Sequence, residues 1–121
     1  MSNRILTADV QTHRLEPFEA ELWVIVKPEQ VTTTTELRGR VVGPKSAISS
    51  TIEVAYPLRR FVKPGALDGL AAQVVIPEPS RWEPACPFVY DIVLELWEEG
   101  RRCDVRQVPG FRLLTAQSAS S

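Results

Sequence analysis

Between Pro79 and Pro109 the chain leaves little freedom of fold. Three prolines within nine residues, Pro79, Pro84 and Pro87, flank Trp82. They exclude a helix, because each removes a backbone donor and pushes the preceding residue into extended geometry. From Phe88 to Glu98 the chain then alternates without a break. Phe88, Tyr90, Ile92, Leu94 and Leu96 fall on one face, and Val89, Asp91, Val93, Glu95 and Trp97 on the other, which is the period of a β-strand. Glu98-Glu99-Gly100 supplies a turn whose glycine accepts positive φ, so Arg101 to Val108 is expected to return antiparallel and to end at Pro109-Gly110.

The same alternation recurs upstream. Glu19 to Lys27 places Leu22, Val24 and Val26 opposite Glu21, Trp23 and Ile25, and Pro28 ends it. Val31 to Val42 opens on four threonines, residues of high β preference, and continues with Leu37, Gly39 and Val41 against Glu36, Arg38 and Arg40. Gly43-Pro44-Lys45 turns the chain into a strand over Ile48–Leu58, and Leu58–Val62 reads as a short strand or link broken by Pro64-Gly65. Leu67–Leu70 fits a single turn, and Ala71–Ile76 a last short strand with Ala72, Val74 and Ile76 inward. About seven antiparallel strands and no helical stretch predict a β-sandwich. The expected boundaries are a flexible arm or edge strand over 1–14, the sandwich over 15–114 and a disordered, small-residue tail over 115–121.

The run Pro79, Trp82, Pro84, Pro87, Tyr90, Gly100, Asp104, Gly110, Phe111 and Arg112 resembles the closing strands of the immunoglobulin-like, fibronectin III-like domain of family 2 glycoside hydrolases, the β-galactosidase, β-glucuronidase and β-mannosidase group. The likeness in order and spacing spans 34 residues; from Leu15 to Ile76 it is only a compatible strand pattern. In that family a sugar-binding jelly roll precedes this module, and a TIM barrel with two catalytic glutamates follows its Gly-Phe-Arg. Neither is found in these 121 residues. The resemblance therefore implies a non-catalytic structural or protein-interaction module, or a remnant or fragment of a larger glycosidase.

The residues themselves offer no chemistry. Glycoside hydrolysis needs two carboxylates about 5 to 9.5 Å apart across a cleft, whereas Glu98 and Glu99 are consecutive and sit on a convex hairpin tip. A serine or cysteine nucleophile needs a base, and the one histidine, His13, lies in the unpatterned N-terminal segment. One His and two separated Cys make no zinc site, and no acidic loop suits calcium, so no metal and no cofactor is expected. Fourteen basic against 15 acidic residues, a net charge of −1, leave no basic face for nucleic acid. The first ten residues are too polar for a signal peptide, and no apolar run approaches a membrane span. Cys86 and Cys103, at opposite ends of one strand, stand roughly 30 Å apart at about 3.3 Å per residue, which predicts two free thiols and favours a cytoplasmic location.

What remains is aromatic. Trp23 with Ile25, and Trp97 with Val93, fall on the polar sides of their strands and form a candidate interaction surface for a protein partner or a homodimer through an outer sheet face. Alternatively, Trp82, Tyr90 and Trp97 are candidate sugar contacts in a small carbohydrate-binding module. Trp82 is expected to pack on the end of the sandwich, Phe111 under the last strand, and Arg112 to face water. Residues 1–15 or 113–121 are candidates to fold over the outer tryptophans.

Overall fold

The computed structural model describes residues 3–46, 51–61 and 69–114. They form eight strands: β1 Ile5–Leu15, β2 Glu19–Pro28, β3 Thr35–Lys45, β4 Val54–Pro57, β5 Arg59–Phe61, β6 Leu70–Pro77, β7 Val89–Glu98 and β8 Arg101–Phe111. Two four-stranded sheets, ordered β1-β2-β6-β5 and β4-β3-β7-β8, are antiparallel at every pairing. This is the strand order of an immunoglobulin-like sandwich.

Each sheet is centred on a strand that the sequence marks clearly. Along β2, Ala20, Leu22, Val24 and Val26 are wholly buried; along β7, so are Tyr90, Ile92, Leu94 and Leu96. Leu37 and Val41 of β3, and Ala72, Val74 and Ile76 of β6, complete one core between the sheets. Gly39 interrupts the inward row of β3 for a steric reason. Its φ of +154° suits no side chain, and a Cβ there would lie 2.1 Å from the Val93 carbonyl oxygen. Its own carbonyl accepts the Leu58 N–H at 3.0 Å, where the chain leaves β4 for β5 in the other sheet.

The sheets are also joined along the side where β1 faces β8. Ile5 donates its N–H to Asp104 Oδ2 (2.8 Å), and its carbonyl accepts from Arg106 Nη2 (3.0 Å). Two β8 side chains thus serve the backbone of one β1 residue as a neighbouring strand would. Just beyond, buried Asn3 donates to the Gln30 carbonyl at 2.7 Å and accepts from the Arg4 and Gln30 amides, so its polar atoms are satisfied.

Two expectations need correction. Of the four threonines only Thr35 opens β3: Thr32 to Thr34 precede it, with a turn at Thr33–Thr34, because the hydroxyls of Thr32 and Thr34 bond to Glu98 instead of standing on a pleated face. Among the described residues, the strand expected over Ile48–Leu58 is regular only over Val54–Pro57, and Ile52 is left exposed. Of the two alternatives for the N-terminal segment, arm or edge strand, the structure has the edge strand, the 11-residue β1. Residues 48–50, Pro64-Gly65, the first half of the turn expected over Leu67–Leu70, and the tail expected over 115–121 lie outside the described residues.

Gly39→Ala should lower stability by about 3 kcal/mol, through both backbone strain and the clash with Val93. Gly100→Ala, at φ +77° with open space around it, should cost only about 1 kcal/mol. Urea unfolding of the two variants checks this; equal losses would contradict the close packing assigned to Gly39.

Candidate functional site

The closing strands hold the residues that carry the sequence resemblance, and these residues meet one another. The Arg112 guanidinium lies 4.5 Å from the centre of the half-buried Trp82 ring. The Trp82 N–H donates to the Leu113 carbonyl at 3.0 Å, and Trp82 forms an antiparallel bridge with Pro87. Arg112 is exposed, as expected, and its guanidinium lies over the tryptophan 30 residues earlier. Leu113 runs into the core, completely buried, and does not cover an outer face. Tyr90, paired with Phe111 across the ladder, accepts the Ser80 N–H on its hydroxyl at 3.0 Å. Gly110, at φ +69°, donates its N–H to Asp91 Oδ1 at 3.0 Å, and Asp104 holds Ile5 as described above.

Tyr90 is thereby removed from the sugar-contact group. Only 1% of its surface is exposed, so its ring is a core element and not a platform. Trp82 and Trp97 do not converge either. Trp82 lies beside Pro87, before β7 begins, and Trp97 lies near the far end of that strand, roughly 30 Å away at about 3.3 Å per residue.

The four residues of the candidate interaction surface are divided between the two sheets. Trp23 and Ile25 are half-buried on the outer side of β2, while Val93 and Trp97 are half-buried on the outer side of β7. The outer faces share a device. In Glu21-Leu22-Trp23 and Glu95-Leu96-Trp97 the leucine enters the core, and the indole N–H bonds back to the carboxylate two residues earlier, at 2.7 and 2.9 Å. Each carboxylate is largely covered, at 14% and 15% exposure, and lies near arginines: Arg14 at 3.5 Å from Glu21, and Arg40 and Arg102 at 3.8 and 3.7 Å from Glu95. Each ring is capped as well. His13 stacks on Trp23 with ring centres 3.8 Å apart, and the Arg38 guanidinium sits 4.0 Å above Trp97. The cover expected for Trp23 from the N-terminal segment is thus supplied by one residue of β1.

The carboxylates of the hairpin are structural in their contacts. Glu98 accepts from the hydroxyls of Thr34, Thr32 and Thr35, and these hydrogen bonds hold its pKa below the usual carboxylate value. Asp91 is lowered too, chiefly by its 2.8 Å contact with Lys45 and then by the Gly110 N–H; the same contact raises Lys45. Glu99 occupies a left-handed turn position at φ 51°. Among the described residues, no group of three or more His, Cys, Asp and Glu could hold a metal ion. Both cysteines are free thiols, Cys86 exposed and Cys103 half-exposed.

Clefts lined by described residues mark the surface. One of about 450 Å³ at the end of the sandwich is walled by Pro17, Pro79, Phe88 and Cys86, with Ser80, Arg81 and Glu83 at its polar side. A smaller one of about 210 Å³ lies on the outer face between Arg40, Lys45, Asp91 and Gln107. In neither does a pair of carboxylates or a nucleophile and base face one another. The sequence reading overlooked Arg38, Arg112 and His13 as ring partners; the available signal was the Glu-Leu-Trp triplet repeated in two predicted strands.

No family model matches the chain, and no curated protein matches it in sequence. Solved structures do match it. One is the Bifidobacterium dentium beta-glucuronidase complexed with coumarin-3-O-glucuronide, similar at a TM-score of 0.60 and 17% identity over 91% of this chain and 18% of that one. The chain thus spans less than a fifth of that protein's length, and the likeness is one of fold.

Proposed function

We propose that this chain is a non-catalytic structural domain of the family 2 glycoside hydrolase type, a domain or fragment of a larger glycosidase. The observation that carries the reading is that motif residues serve as internal ties: Trp82 with Arg112, Tyr90 with Ser80, Gly110 with Asp91, and Asp104 with Ile5. Each contact ties one strand or link to another, and none is aimed into a common cleft. The fold likeness to part of a β-glucuronidase supports the same reading. The carbohydrate alternative needs a bare ring beside polar groups, whereas Arg38 and Arg112 lie over the rings of Trp97 and Trp82.

Titration of the labelled protein with methyl β-glucuronide and short oligosaccharides, followed on the three indole N–H signals, should give no saturable shift at millimolar sugar. A saturable shift at Trp82 or Trp97 would replace the structural reading with the sugar-binding one.

As a tie, Trp82 should cost about 2 kcal/mol when replaced by alanine, below the roughly 3 to 5 kcal/mol of a fully buried ring, because it is half-exposed. A Trp82→Ala variant that melts like the parent would contradict this assignment. The two lowered carboxylates give a pH test. Because folding lowers their pKa, the stability they supply is complete above about pH 5 and is lost as the pH falls through their folded-state values. The difference in urea midpoint between the parent and Glu98→Gln should therefore shrink from pH 7 to pH 3; a constant difference would mean that the glutamate is not held by its charge.

A further inference from the structure

A four-stranded sheet has two edges, and three of the four in this sandwich are blunted. β4 and β5 are only four and three residues long. β8 carries Arg101, Arg102, Asp104, Arg106 and Pro109, and its ladder slips twice against β7. Charges, proline and irregularity of this kind keep an edge from recruiting another strand. β1 differs in carrying no proline and fewer charges: 11 residues long, its ladder with β2 slips at both ends, between Ile5 and Thr7 and between Thr12 and Arg14, but the stretch from Thr7 to Thr12 pairs in unbroken register. Across its open side, among the described residues, only Ile5 has backbone partners, Asp104 and Arg106.

We propose that this edge pairs with β1 of a second copy of the chain, antiparallel and centred on Val10, joining the two β1-β2-β6-β5 sheets into one of eight strands. The occupant is argued from complementarity. A two-fold axis perpendicular to the sheet keeps both cores on the same side and must pass through a residue, since opposed side chains share a face. Centring on Asp9 would oppose two carboxylates. Centring on Gln11 would extend the pairing onto the register shift between Thr12 and Arg14. Centring on Val10 opposes Asp9 to the partner's Gln11 on the outer face, and Ala8 to the partner's Thr12 on the inner one. Asp9 and Gln11 already show the required chemistry within one strand, where the amide donates to the carboxylate at 2.8 Å. Ala8 and Val10 pack at the margin of the core, so the pairing also extends apolar cover. The inference goes beyond the proposed function and does not depend on it, since an open edge pairs in the same way whatever the domain serves.

A contact confined to one strand pair is small, so the dimer should form only at concentrations on the order of tens to hundreds of micromolar. Sedimentation of the 121-residue chain from about 5 to 500 µM tests it. The expected result is a monomer–dimer equilibrium that Gln11→Asp weakens about tenfold or more, by opposing aspartates at two places. Adding Asp9→Lys to that variant should restore the dimer, because each lysine then faces the partner's aspartate. Asp9 and Gln11 are exposed, so both variants should melt with the parent. A chain that is monomeric at 500 µM, a dimer indifferent to Gln11→Asp, or a double variant no stronger than the single one would each overturn the proposal.

Discussion

Everything in this sandwich depends on the one core to which the inward rows of β2 and β7 contribute. These are interior strands of their sheets, and every second side chain of each is withdrawn from water. At about 25 cal/mol per Å² of apolar surface, such a row is the main force holding one sheet on the other. It also fixes register, since a slip of one residue would turn Leu22 or Leu94 outward and bring Glu21 or Glu95 into the core.

The outer faces follow from that constraint. The intervening positions must tolerate water, yet two of them are tryptophans. The structure resolves the conflict in the same way twice: a carboxylate two residues back takes the indole N–H, arginine lies near that carboxylate, and imidazole or guanidinium lies on the ring. Individually, such surface pairs contribute little. Together they turn apolar area that would invite association into a hydrogen-bonded surface.

The fold was legible because its signals are local. Alternation over Phe88–Glu98 and Glu19–Lys27 identified both central strands to within a residue or so, and Gly100 marked the hairpin between β7 and β8. Less could be read where contacts between distant residues decide the outcome. The threonines before β3 carry high β preference, but Glu98, more than 60 residues later, holds the hydroxyls of Thr32 and Thr34 at a turn. β1 shows no clean alternation because it is an edge with two register shifts, anchored by Asp104 and Arg106 of the other sheet. Assigning Trp23, Ile25, Val93 and Trp97 to one candidate surface came from strand parity alone, which tells inside from outside but not one outer face from the other.

Hydrogen exchange in the native protein addresses the central claim, that the two sheets form one unit whose outer aromatic residues are tied internally. The account expects the amides of β2 and β7 to exchange only through a common global opening, with the Trp23 and Trp97 indole protons slowed well below the rate of a free indole. Independent exchange of the two sheets, or indole protons exchanging as if in open water, would contradict it.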